Sequence, residues 1–307
     1  MEKPRVGFIG VGLMGHGMAG NLVEKGFPTT ILGNRNRAPV EDLVRRGAVE
    51  GRDPAAVAAA CDIVVICVTG SPEVQAICDG PKGLLAAARD GLIVMDCSTS
   101  EPSSSAKLCQ AFARSGTAFV DAPLARTPKE AAEGRLNVMV GAEPAIFARV
   151  EPVLKAFAEN IFHVGGPGAG HKTKLVNNFL AMGQIALIAE AMAAGAEAGL
   201  DLDAFVRVVS AGGANSGIFQ MVAPSMLAGT FDGLRFGLDL ARKDLRYYTH
   251  MTESLNLPSH LGEAVHQAFV LASAMGFGGE YVGSLGKAQE NLTGARIARR
   301  PACGAAA

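Results

Sequence analysis

The stretch from Val6 to Asn21, VGFIGVGLMGHGMAGN, constrains this chain more than any other. A short apolar run, Val6 to Ile9, enters Gly10, Val11, Gly12, Leu13, Met14 and Gly15. An apolar-periodic segment then continues through Met18, Leu22 and Val23 to a stop at Gly26. The order is strand, glycine turn, helix. Gly10 permits the tight turn, Gly12 lets a pyrophosphate approach the backbone, and Gly15 lets the helix pack closely on the strand. The N–H groups at the helix start face the phosphates. Glycine turns are common in isolation, but in this context the pattern predicts a dinucleotide site lined by Gly10, Gly12, Leu13, Met14 and Gly15.

A chain of 307 residues can bury substantial cores in one large or two medium domains. With 49% apolar and 19% charged residues it reads as an ordinary folded protein. A net charge of −1 gives no electrostatic reason to expect nucleic acid or a membrane surface as partner. The Met-Glu-Lys-Pro start leads directly into a strand without a signal-peptide pattern. Six cysteines, Cys61, Cys67, Cys78, Cys97, Cys109 and Cys303, show neither CxxC nor zinc spacing and read as reduced thiols. A cytoplasmic location is expected.

Thr29 to Leu32 reads as a second strand ending at Gly33-Asn34-Arg35, where a dinucleotide fold meets the adenosine ribose. An acidic residue there would accept from the 2′-OH of NAD; Asn34 followed by Arg35 and Arg37 suits a 2′-phosphate instead. NADP(H) is therefore favoured over NAD(H), the alternative being that the arginines are solvated loop charges. Ile63 to Val68 and Leu92 to Asp96 are near-continuous apolar runs, as parallel strands buried on both faces require. Helical stretches such as Asp53 to Ala60 and Leu84 to Ala88 lie between them. Val68 and Thr69 leave one strand at its carboxyl edge, where ligands bind in open α/β sheets, and Ser98, Thr99 and Ser100 leave another. The serines either contact ligand or merely cap the following helix through Leu108 and Phe112. Ala118 to Asp121, Asn137 to Val140 and Ile161 to His163 supply further strands, with Glu143 to Phe157 a helix. The regular alternation predicts a doubly wound sheet over residues 1–164.

Composition changes at the glycine-rich run Gly165 to Gly170. Residues 171–199 read as one long apolar helix, about 40 Å at 1.5 Å per residue, suited to joining two domains. Its Lys172, Lys174, Asn177, Asn178, Gln184, Glu190 and Glu197 argue against a bilayer span. Asp203 to Ser210, Phe219 to Leu227, Leu238 to Leu255 and Ser259 to Met275 also look helical. An all-α second domain over residues 165–307 follows. Gly276 to Gly286 reads as loop and Arg299 to Ala307 as a frayed end.

Lys174 and Asn178 are four apart and share one helix face just after the glycine loop. A helix N-terminus with partial desolvation would lower the pKa of Lys174 toward the range of a general acid; otherwise it is a surface lysine. Arg126 and Thr127 follow a strand end and either clamp a small anion or are exposed loop residues. Lys243-Asp244 inside a helix reads as a solvated pair. No histidine has HxxxH or HExxH spacing, so no metal site is expected.

Together these motifs resemble the β-hydroxyacid dehydrogenase family, which includes 3-hydroxyisobutyrate dehydrogenase, tartronate semialdehyde reductase and sulfolactaldehyde reductase. The likeness runs through GFIGVGLMG (7–15), DCST (96–99), DAPLARTPKEAAEGRLNVMVGA (121–142), GGPGAGHKTKLVNNF (165–179) and LDLARKDL (238–245). It implies a Rossmann-type nucleotide-binding domain, a long helix and an all-α domain, as in 6-phosphogluconate dehydrogenase-like proteins. It also implies an NAD(P)-dependent oxidoreductase moving hydride between nicotinamide and a small acidic aldehyde or 3-hydroxyacid. Lys174 matches the family's proton-handling lysine, Asn178 its substrate-orienting asparagine, and Ser98 the serine or threonine region near nicotinamide and substrate. Lys243 and Asp244 match a pair that closes the site from the helical domain, Lys243 reaching cofactor and substrate. Homodimers or homotetramers are usual. The family loop reads DAPVSGG, whereas Leu124-Ala125-Arg126-Thr127 is similar to the Gly-Arg-Thr loop of sulfolactaldehyde reductases. That favours sulfolactaldehyde or tartronate semialdehyde, with an imine reductase or a non-catalytic redox sensor as alternatives.

Overall fold

The computed structural model describes residues 3–299. In chain order its elements begin with β1 (Val6–Ile9), α1 (Gly15–Glu24), β2 (Thr29–Leu32), α2 (Ala38–Arg45), β3 (Val49–Glu50), α3 (Pro54–Ala60), β4 (Ile63–Ile66) and α4 (Ser71–Cys78). β5 (Ile93–Asp96), α5 (Pro102–Ala113), β6 (Ala118–Asp121), β7 (Leu124–Ala125), α6 (Pro128–Ala132), β8 (Leu136–Gly141), α7 (Pro144–Phe157) and β9 (Ala158–Gly165) complete the sheet region. Then come α8 (Ala169–Glu197), α9 (Leu202–Ala211), α10 (Gly217–Leu227), α11 (Leu238–Ser254), α12 (His260–Ala272) and α13 (Leu285–Thr293). The chain divides into two compact units after Leu175, within α8.

In the first unit the strands run in the order β3-β2-β1-β4-β5-β6 and are all parallel, the order of a doubly wound nucleotide-binding sheet. The alternation of side chains explains why whole apolar runs are needed. Ile63 and Val65 of β4 enter one core with Val6, Phe8, Met18, Leu22 and Leu154, while Val64 and Ile66 enter another with Val57, Val74 and Phe112. Helices cover both faces, so neither set of alternate residues meets water. Each large apolar side chain so buried contributes roughly 1.5–3 kcal/mol.

Beyond β6 the sheet changes direction. β8 is antiparallel to β6 and β7, and β9 runs parallel to β8. Between β7 and β8 lies only α6, five residues long. That is too short for the crossover a parallel neighbour demands. Leu84–Ala87 is a single 3-10 turn rather than an α-helix.

Among the described residues the second unit is built of helices, with a single isolated β-bridge between Gly237 and Tyr281. α8 is 29 residues long, about 43 Å. By length and composition alone it qualifies as a membrane-crossing helix, so its polar residues are not what sets it apart from one. In this fold Met182, Ile185, Ile188, Ala189 and Met192 are buried against Phe219, Val222, Met226, Leu245 and Phe269. Two expectations are corrected here. The Gly276 to Gly286 stretch is not a plain loop: Val282–Ser284 forms a 3-10 turn and α13 starts at Leu285, with Val282 and Leu285 buried in the helical core. Arg299 is not frayed, because its Nε donates to Asp203 at 3.1 Å and its N–H to the Leu227 carbonyl at 2.9 Å. The remainder of the expected frayed end, with Cys303, lies outside the described residues.

Candidate active site

The glycine turn has the geometry a pyrophosphate cradle needs. Gly10 adopts φ 101°, and a Cβ there would stand 2.1 Å from the Cys67 carbonyl oxygen. A Cβ on Gly15 would stand 1.9 Å from the Gly10 carbonyl oxygen and 2.9 Å from Phe8, so only glycine allows α1 to sit this close to β1. Gly12 differs: a Cβ there would meet nothing within 4 Å, so its backbone faces open space. No side chain caps the N-terminus of α1, and the apolar Leu13 is 85% exposed. This cradle opens where strand order reverses between β1 and β4, the crevice in which such sheets bind dinucleotides. The residues present therefore fit a dinucleotide.

The other expected cofactor residues lie on the carboxyl ends of neighbouring strands. Asn34 and Arg35 follow β2 and are exposed; Val68 and Thr69 follow β4; Thr99 follows β5. The Val68 N–H donates to Ser98 Oγ at 3.0 Å, tying the ends of β4 and β5 together. Ser98 is buried, and its N–H donates to Asp96 Oδ1 at 2.8 Å.

Below this edge lies a buried polar network that spacing alone did not reveal. Asp96 and Asp121 end β5 and β6 and are register partners, each almost wholly buried. Asp121 accepts the Gly168 N–H at 2.6 Å and the His171 N–H at 2.7 Å, so its carboxylate caps the N-terminus of α8 from a different element. Asp96 accepts from the Ser100 hydroxyl at 2.7 Å. The fully buried His171 ring places Nδ1 2.8 Å from Ser105 Oγ and Nε2 3.2 Å from the Ser98 carbonyl. One signal for this network was present in the sequence: LIVMD and AFVD each end a fully apolar strand on a carboxylate. Its partners, Gly168 and His171, lie about fifty residues further on and carried none.

Lys174 is half-buried and stands one turn before the buried Asn178 on α8. The positive helix end beside Lys174 is not bare, since it carries the Asp121 carboxylate. In the helical unit Asn178 Nδ2 donates to Asp244 Oδ2 at 2.6 Å, and Lys243 Nζ lies 2.9 Å from Asp244 Oδ1. That second contact is an ion pair without hydrogen-bond alignment, and Asp244 Oδ1 has no hydrogen-bond donor among the described residues. Lys243 also sits 4.9 Å from the centre of the Tyr247 ring. Lys243-Asp244 is therefore a pair of a half-buried lysine and a buried aspartate rather than the solvated one that spacing suggested; Asp244 is 2% exposed.

Arg126 and Thr127 are already engaged. Arg126 Nη1 pairs with Glu159 and donates to the Arg135 carbonyl at 2.5 Å. This pairing holds the Glu159 carboxyl below the usual carboxylate range. Arg126 has φ 83°, a left-handed backbone that favours glycine. It stands where the family loop DAPVSGG has glycine. Thr127 caps α6 in a capping box with Glu130. Burial pushes the Cys67 thiol up to about 12 and raises Cys97 as well, which leaves both protonated and inert at neutral pH.

A glycine cradle at the reversal point of a parallel sheet, followed by a helical unit, defines the class of dinucleotide-binding α/β proteins with a helical second unit. Residues 5–165 match the NAD binding domain of 6-phosphogluconate dehydrogenase, and residues 168–282 match the NAD-binding model of NADP-dependent 3-hydroxyisobutyrate dehydrogenase. The 2-(hydroxymethyl)glutarate dehydrogenase of Eubacterium barkeri is 34% identical over 97% of this chain and 99% of its own. The 3-sulfolactaldehyde reductase of Escherichia coli is 30% identical over 89% of this chain and 91% of its own. A solved 3-hydroxyisobutyrate dehydrogenase from Salmonella typhimurium superimposes with a TM-score of 0.78 at 29% identity, over 92% of this chain and 99% of that one. The chain belongs to the β-hydroxyacid dehydrogenase family and is an oxidoreductase acting on CH–OH groups with a nicotinamide cofactor.

Proposed function

We propose that this enzyme reduces a small acidic aldehyde to the corresponding hydroxyacid, using NADP(H) in preference to NAD(H). Sulfolactaldehyde and tartronate semialdehyde are the favoured substrates. The observation that carries the reading is the pairing of Lys174 with Asn178 one turn apart on α8, a helix whose first turn is anchored by Asp121 and His171. Bound nicotinamide supplies the hydride. Lys174 gives its proton to the carbonyl oxygen, or takes it back in oxidation. Asn178, held by Asp244, orients the substrate, and Lys243 adds positive charge toward substrate and cofactor. Ser98 fixes the ends of β4 and β5 beside the proposed cofactor crevice. The protein acts in the cytoplasm as a homodimer or homotetramer.

Arg126, with Thr127, grips the acidic group. For this the guanidinium must exchange Glu159, and the Thr127 hydroxyl Glu130, for substrate. An exposed ion pair contributes only about 0–1 kcal/mol, whereas a charge-assisted bond to a sheltered anion contributes about 1.5–3 kcal/mol, so exchange is favourable. Arg126→Ala is therefore expected to raise KM for the acidic aldehyde by roughly ten- to a hundredfold with a smaller change in kcat; an unchanged KM would remove Arg126 from the substrate site. The reaction itself is tested by following nicotinamide absorbance with NADH and NADPH separately. The panel is sulfolactaldehyde, tartronate semialdehyde, methylmalonate semialdehyde, succinic semialdehyde and glyoxylate. Preference for the sulfonate supports the Arg126 reading, preference for a carboxylate keeps the family and discards the sulfonate, and cofactor binding without turnover defeats the reductase assignment.

A further inference from the structure

We infer that Glu50 sets the enzyme's discrimination between the two nicotinamide cofactors by holding Arg37. The inference rests on the proposed placement of the cofactor's adenosine ribose at the end of β2. Arg37 belongs to the basic run after that strand, a run suited to a 2′-phosphate. In the structure its guanidinium is committed elsewhere: Nη1 donates to Glu50 Oε1 and Nη2 to Glu50 Oε2, each at 2.8 Å. This is a two-pronged fork, the most directional form of arginine–carboxylate pairing.

The pair is seated on the ribose end of the strand. Glu50 ends β3 and is the register partner of Ile31 in β2. Gly33 is the first residue beyond β2, and a Cβ on it would stand 2.4 Å from Arg37 Nη1 and 2.6 Å from Glu50 Oε1. The ion pair thus lies directly over the backbone at which an acidic residue on β2 would meet the 2′-OH. The pairing itself lowers the Glu50 pKa and raises that of Arg37, so both stay charged at neutral pH.

Two consequences follow for a nucleotide bound at this strand end. Arg37 presents its remaining donors with much of its charge offset, and Glu50 places a negative charge beside a 2′-phosphate. Glu50 is thereby the repulsive element that Asn34 does not supply, delivered from the adjacent strand. Arg35, in the same run, is exposed as well. A 2′-hydroxyl carries no charge and is indifferent to the exchange.

The test is calorimetric titration of the full chain with NADP+ and NAD+, independent of turnover. Variants are Glu50→Gln, Arg37→Ala and the double substitution. Glu50→Gln keeps shape and removes charge, and is expected to tighten NADP+ binding roughly tenfold while changing NAD+ binding less than twofold. In the Arg37→Ala background the same substitution should give a smaller gain, because only the repulsion by Glu50 is then relieved and no guanidinium is released; an undiminished gain overturns the holding of Arg37. An equal change for both cofactors, or none for NADP+, overturns the role of Glu50. A wild type that prefers NAD+ but is shifted toward NADP+ by Glu50→Gln sustains the inference and corrects the proposed NADP(H) preference. A wild type that binds neither nucleotide defeats the cofactor placement, and this inference with it.

Discussion

Replacing Lys174 by alanine is expected to lower turnover with any accepted aldehyde by roughly two to four orders of magnitude while leaving NAD(P)H affinity nearly unchanged. The expectation follows from what the residue is proposed to supply. Carbonyl reduction builds negative charge on oxygen, and a positioned acid stabilises that charge as it forms. Lys174 is half-buried one turn before Asn178, so it can meet an oriented substrate without belonging to the glycine cradle that holds the cofactor. Lys174→Arg separates charge from proton transfer: guanidinium keeps the positive charge but does not release its proton in this pH range. Both variants should be slow in single-turnover absorbance measurements. Near-normal turnover in Lys174→Ala would sink the assignment, and recovery in Lys174→Arg alone would make the residue an electrostatic clamp rather than the acid.

The second large effect is structural. Asp121→Ala should destabilise the protein by about 3 kcal/mol, because the Gly168 and His171 N–H groups lose a charged acceptor in a buried place. Asp121 is 1% exposed, so water does not readily replace it. It also complements the positive end of α8, and that contribution disappears with it. The midpoint of urea unfolding measures the change. Turnover should fall too, since Lys174 lies a single turn beyond the anchored residues. A midpoint within experimental scatter of wild type would show that the first turn of α8 is held by other contacts.

The phosphate cradle was the most legible part of this protein. Strand, turn and helix there are contiguous, and the glycine requirements arise between neighbours: Gly10 against the end of β4, Gly15 against Gly10 itself. The near-continuous apolar runs likewise identified the parallel strands, because burial on both faces leaves no room for polar alternation. Lys174 and Asn178 could be placed on one helix face from their spacing. Less legible were the elements whose signals are weak or divided. The antiparallel β8 was recognised as a strand, but its direction depends on the short α6 beside it. α13 begins inside a glycine-rich stretch and takes its place through Leu285 and Ala288 in the helical core.

The sequence by itself determined the nucleotide-binding plan and the helical second half, since each is written in local periodicity and adjacent residues; the proton-donor role proposed for Lys174 comes from the family resemblance instead. Only the tertiary structure decided what the charged groups do. Arg37 is paired with Glu50, Arg126 with Glu159, Asp121 with the start of α8, and Asp244 with Asn178. These partners lie between 13 and 66 residues apart in the chain. Charge carries no period, so a sequence shows that a carboxylate or guanidinium exists but not which partner it meets. That choice is made when strand register and helix packing bring distant residues within hydrogen-bonding distance.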